Sequence, residues 1–206
     1  MKTPLIQAIK WFSIIEVMVG IFIFTLGLLS IYTLLVSALN INEYNKNAII
    51  ASNLAREQLE LFRNIRDTNY MKLKVWNQQN PNLPYNPVHL FQTGSYYTLE
   101  NDFTLSASFP VKIQNITSWF EEGSDKLTGA SMSLYRLCLN TNSLYTYDCS
   151  PWNIQTPFYR YLFIEQSIDP EFPYQDIYRI TSKVIWYKKW YHEYDIKTIV
   201  TDWRRI

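Results

Sequence analysis

Histidine is nearly absent: His89 and His192 are the only two, far apart in the chain and each set among aromatics. Two lone imidazoles cannot make a spaced ligand set, so no metal is expected and both read as packing or surface residues. Glycine is scarce as well. After Gly27 only Gly94, Gly123 and Gly129 remain, which leaves little material for a phosphate-cradling loop. No GxSxG, HExxH, CxxC or P-loop pattern occurs, so the residues support neither an enzyme nor a cofactor. Net charge is missing too: +1 over 206 residues gives no electrostatic reason to propose a nucleic-acid partner. Proline does not occur between Pro4 and Pro81, so nothing in that stretch forces a helix to break.

Cysteine is limited to Cys138 and Cys149, in a polar, hairpin-like stretch. Inside a cytosolic protein they would read as two unrelated thiols. Outside a membrane a disulfide becomes the better reading. Thr141-Asn142-Ser143 makes a good turn between them. That turn does not set the two cysteines directly opposite, so a bridge needs a bulge or a loop at one end.

What the chain does have is one long apolar run, Ile14 to Leu39, whose only charge is Glu16. Its 26 residues are enough to cross a bilayer core of about 30 Å with some tilt. Ahead of it, Lys2 and Lys10 are the only charged side chains. A short basic N-terminus stays in the cytoplasm and sends the chain beyond the span across, so everything after Asn40 is expected outside. A cleavable secretory signal is a rival reading, with Val36-Ser37-Ala38 as its cleavage site. Against it, such signals have apolar cores of about 7–15 residues and no carboxylate there. A plain single-span anchor is the other rival. It has no use for Glu16, which costs about 2.5–3.5 kcal/mol at mid-span and less near an end. A carboxylate in such a place needs a cationic partner, and the run contains none.

Phe12-Ser13-Ile14-Ile15-Glu16-Val17-Met18-Val19, behind its basic leader, resembles the class III signal of type IV prepilins and type II secretion pseudopilins. The resemblance implies a peptidase that cuts between Trp11 and Phe12 and methylates the new amine. Trp11 stands where that family usually has glycine. Glu16 then becomes the fifth residue of the mature chain, and its partner is the α-amino group of Phe12 on a neighbouring subunit. Also implied are a prepilin peptidase, other pilin subunits, an inner-membrane assembly platform and the lipid bilayer as partners. The expected function is that of a structural, minor subunit of a type IV pilus-like or type II secretion or competence filament. It would be a single-pass inner-membrane protein, with its N-terminus cytoplasmic and its head extracytoplasmic. The alternatives are an extracellular binding module or adhesin on an ordinary single-pass anchor, and a secreted enzyme released after Ala38.

Beyond the span the helical period continues. Ile50, Ala51, Leu54, Ala55, Gln58, Leu61, Phe62 and Ile65 form one stripe, with Arg56, Glu57, Glu60 and Arg63 between them. Helix from Phe12 to Arg66 would be roughly 80 Å long. The run from Asn77 to Pro87 then reads as a connecting loop. Strands are expected at Tyr96–Ala107, Ser133–Leu139, Leu144–Asp148, Tyr159–Glu165, Ile177–Lys188 and Ile196–Trp203. The fold class is therefore α+β: a long N-terminal transmembrane helix packed on a small antiparallel, pilin-like sheet. Residues 1–11 form the leader, 12–40 the transmembrane and filament-core helix, 41–66 its amphipathic continuation, and 67–206 the β head. Glu121, Glu122 and Asp125 make a small acidic loop without EF-hand spacing. Asn115-Ile116-Thr117 is a glycosylation sequon.

Overall fold

In a computed structural model, the described residues are 13–101, 111–117, 132–167, 177–187 and 190–202. Helix α1 runs Ile14–Met71 without interruption, and seven strands come after it in one antiparallel sheet. The fold is α+β. The chain divides into two units, Met1–Lys46 and Asn47–Ile206.

In the first unit every described residue, 13–46, is exposed, including the whole apolar run. α1 is long and apolar enough there to cross a membrane once. The hydroxyls inside the run are turned back on their own helix: Thr25 donates to the Phe22 carbonyl at 2.8 Å, Ser30 to Leu26 at 2.9 Å, and Thr33 to Ser30 at 2.8 Å. The hydroxyls are thus satisfied within their own helix, as a hydrocarbon setting would require.

The second unit packs one face of α1 on the sheet. Ala51, Leu54, Ala55, Gln58, Leu61, Phe62 and Ile65 are buried, which is the stripe read from the sequence apart from the half-buried Ile50. α1 ends at Met71, beyond the expected Arg66, because the cap lies later. Leu73 N–H donates to the Tyr70 carbonyl at 3.1 Å, and Lys74 N–H to Asn69 at 2.9 Å. This pair of bonds closes the helix with residue 73 in the left-handed region. Glycine is the usual residue there, but this chain has Leu73 at φ 54°. Its side chain is 86% exposed, so the leucine gains no packing to offset the strain. Leu73→Gly is expected to stabilise the unit by about 1 kcal/mol. A urea midpoint that falls or stays put in the variant would contradict this.

The strands are β1 Ser95–Asn101, β2 Val111–Asn115, β3 Arg136–Leu139, β4 Tyr145–Thr146, β5 Ile154–Ser167, β6 Ile177–Tyr187 and β7 Tyr191–Thr201. β5 is central. β6 lies along one edge of it, with β7 beyond. The other edge is shared: β1 pairs with Tyr97↔Leu162, Tyr96↔Phe163 and Ser95↔Ile164, while β3 takes the stretch from Ile154 to Tyr159. β2 flanks β1, and β4 flanks β3. The alternation in β6 resolves as the pleat requires. Tyr178, Ile180, Val184 and Trp186 join the core that α1 covers, whereas Ile185 joins a second cluster with Ile116, Tyr135, Tyr159 and Tyr161.

Several boundaries differ from the sequence reading. Residues Met132–Tyr135 form a helical turn, α2, where strand was expected, and only Arg136–Leu139 is extended. That turn belongs to the second cluster, in which Tyr135 is buried. β2 was not anticipated. β5 and β7 begin earlier than the expected Tyr159 and Ile196, and β4 is shorter than Leu144–Asp148. Expected strand residues 102–107, 188 and 203 lie outside the described residues. The loop after α1 is pinned by a bridge, Gln78↔Leu90, and by a single 3-10 turn, Pro87–His89, capped by the Asn86 side chain.

Candidate functional site

The N-terminal turn of α1 carries the one charge of the apolar run. Glu16 N–H and Val17 N–H both donate to the Ser13 carbonyl, at 2.9 and 3.2 Å, which opens the helix and sets Glu16 in its first turn. The helix dipole favours a carboxylate there. Gly20 lies four residues on and Gly27 eleven, so helical geometry puts both on the face of Glu16, Gly20 one turn away and Gly27 three. A Cβ built on either glycine would meet nothing within 4 Å. Within this chain neither glycine makes room for anything. Small residues on an apolar helix let another backbone come close, so a second helix would approach most closely on the face that bears the acid.

Trp11 and Phe12, the expected cleavage pair, lie outside the described residues, as do Glu121, Glu122 and Asp125. Cys138 and Cys149 are joined, with Cα atoms 5.4 Å apart. The geometry is the loop at one end that the turn required. Cys138 faces Thr146 and Gln155 in the ladders, and β4 then leaves the sheet. Thr146 and Asp148 side chains accept from the backbone at Asp148 and Ser150, and these two tight turns return Cys149 to β3. Closing so short a loop contributes roughly 2–3 kcal/mol on the chain-entropy account.

The two histidines are not brought together. His89 ends the 3-10 turn, while His192 on β7 stacks on Trp186 with ring centroids 5.3 Å apart. Among the described residues, no group of three or more His, Cys, Asp or Glu is placed to hold a metal. In the sequon, the Asn115 side chain accepts from Thr117 N–H, and the Thr117 hydroxyl accepts from Tyr96 N–H. The Asn115 side chain thus holds a local turn, and Thr117 joins that turn to β1.

One charged residue in the head escaped the sequence reading. Arg160, on β5, is fully buried beneath α1. Past Tyr97 the strand β1 leaves β5, and Arg160 fills the split. Its guanidinium donates to the Leu99 carbonyl at 3.0 Å, the Leu54 carbonyl of α1 at 3.2 Å and the Tyr147 hydroxyl at 3.0 Å, and it pairs with Glu57 at 3.2 Å. The Tyr147 hydroxyl donates in turn to the Arg160 carbonyl at 3.0 Å. Burial works against the guanidinium charge, but Tyr147 and Glu57 outweigh it, so Arg160 titrates above the ordinary arginine value. Burial raises the Tyr147 hydroxyl against the pull of Arg160. The arrangement is a clamp between helix and sheet. Each of its three guanidinium nitrogens has a partner.

Compared with family models, curated proteins and solved structures, the chain matches none.

Proposed function

We propose that the chain is a structural, minor subunit of a type IV pilus-like, type II secretion or competence filament. It is held in the membrane, and assembled with other subunits, through the apolar part of α1. The observation that carries this reading is the change of character along one helix. Residues 13–46 are exposed throughout, and 14–39 carry no charge but a single acid, whereas from Ala51 on the same helix buries one face in its own folded unit. A plain anchor for a binding module accounts for the span but not for Glu16 on one face with two glycines. The absence of a cation within the run is consistent with a partner supplied by another subunit, namely the amine freed at Phe12.

The test is N-terminal sequencing and intact mass of the membrane-extracted protein. A start at Phe12 with one added methyl group is expected. A start at Met1 would leave the plain anchor as the better account, and a start near Leu39 would mean a secreted product.

A further inference from the structure

The split in the sheet that Arg160 fills beneath α1 borders a cavity. Tyr97 and Leu99 of β1 join the core that α1 covers, so the pleat turns Thr98 and Glu100 to the opposite face. β2 sets Gln114 opposite Thr98 and Lys112 opposite Glu100, on that same face. Ser133 and Leu134 of α2, with Tyr147 and Asp148 just after β4, complete the walls of a cavity of about 290 Å³. All of these residues belong to the folded unit that begins at Asn47.

One wall is fixed and the other is unpaired. The Tyr147 hydroxyl is held on both sides by Arg160, at 3.0 Å each. Asp148 N–H donates to Thr146 Oγ1 at 3.0 Å, and its side chain accepts from Ser150 N–H at 3.1 Å. The Cys138–Cys149 bridge follows it at once. On the β1–β2 wall, Glu100 and Lys112 stand directly opposite in the ladder, where an acid and a base ordinarily meet. They form no ion pair. Among the described residues, the side chains of Thr98, Glu100, Lys112 and Gln114 have no hydrogen-bond partner. A solvated sheet face leaves such groups to water, but it has no second wall folded over it. Here Thr98 is only 3% exposed.

We propose that this cavity binds a single sugar ring. Its volume stands at the small end of ligand pockets, which leaves room for one ring and not for a chain. A sugar hydroxyl both donates and accepts, and the walls answer both ways. Glu100 and Asp148 accept, Lys112 and the Gln114 amide donate, and the Thr98 hydroxyl does either. Leu134 and the Tyr147 ring supply an apolar patch for the C–H face of the sugar. Anions are disfavoured, because two of the three charged groups are acids. A free amino acid would rely on ion pairs, but Lys112 and Asp148 are exposed at the rim, where water screens such pairs. The deepest group, Thr98, is neutral. The inference does not depend on how α1 is used; it adds a recognition site to the head of a structural subunit.

The test is saturation-transfer NMR on the full chain, in a detergent without a sugar headgroup. The probes are methyl glucoside, methyl galactoside and N-acetylglucosamine at tens of millimolar. Transfer to at least one of them is expected, with affinity about tenfold or more weaker in Glu100→Ala and in Gln114→Ala. Glu100 is half-buried and Gln114 exposed, and neither side chain has a partner, so the urea midpoint of both variants should match wild type. If Glu100→Ala does unfold the head, Gln114→Ala still decides. No transfer to any of the three sugars would overturn the proposal. Transfer that survives both substitutions would place the sugar elsewhere and overturn it as well. Transfer to free glycine or lysine instead, lost in both variants, would make the cavity an amino-acid site, and the sugar assignment would be wrong. The membrane reading of α1 stands or falls separately from all of these outcomes.

Discussion

Arg160→Met is expected to destabilise the head by about 3–5 kcal/mol, the usual cost of removing one partner from a buried charged network. The reason lies in the groups left behind. The Leu99 carbonyl faces a gap where β1 has already parted from β5, and it has no strand to turn to. The Tyr147 hydroxyl loses the donor at 3.0 Å that orients it. Glu57 is the least affected, because it is 39% exposed and water can replace the guanidinium. A buried ion pair can often be exchanged for apolar residues without loss. That route is closed here, since two of the acceptors are backbone carbonyls that no substitution removes. Arg160→Lys should also destabilise, because one ammonium cannot span the positions of three guanidinium nitrogens. Urea unfolding of the detergent-solubilised chain, followed by tryptophan emission, measures this. A methionine variant within about 1 kcal/mol of wild type would show that the clamp contributes nothing net.

Arg160 also marks where sequence reading stopped. The long helix was legible because three independent signals agreed over fifty residues: an apolar run, then a stripe at helical period, and no proline. β6 was legible from its alternation. In β5 the same parity was present: Phe158, Leu162 and Ile164 are inward, and Arg160 shares their face. A charged residue at an inward position normally argues against the strand or for a site. Only the tertiary structure shows that the sheet splits at that level and needs a long donor to close it. β2 was invisible for a related reason. Val111–Asn115 is a five-residue run with two apolar side chains, and its strand character comes from pairing with β1, not from its own composition. The cysteines could be matched once the head was read as lying outside a membrane, but the two Asx and ST turns that let β4 leave its ladder could not be foreseen. At the N-terminus the position is reversed. There the role proposed for Glu16 comes from the sequence, and the fold of one chain supplies only its setting.

Glu16→Ala is therefore the substitution with the largest expected effect on function and the smallest on folding. Glu16 is exposed in the first turn of α1, and it belongs to the unit that ends at Lys46, not to the one that begins at Asn47. Removing the acid makes the span more apolar, so insertion should be unimpaired. The effect appears when spans associate. Two greasy helices can slide past one another with little change in energy, because lipid and leucine are equivalent neighbours. One acid and one amine break that degeneracy: a single axial offset brings them together, and every other offset leaves a charge in hydrocarbon. The net attraction need not be large, since desolvation offsets much of it, but the penalty for the wrong register is. Gly20 and Gly27 on the same face let the backbones approach once the register is set. Loss of a selecting interaction of only about 1.4 kcal/mol shifts an equilibrium tenfold. Incorporation of Glu16→Ala is thus expected to fall about tenfold or more. Glu16→Gln should fail similarly, because it keeps the shape but not the charge. The measurement is recovery of the variant with sheared filaments from cells lacking the wild-type copy, against an unchanged amount in the membrane fraction. Wild-type recovery of Glu16→Ala would remove the register argument and return the span to the role of a simple anchor.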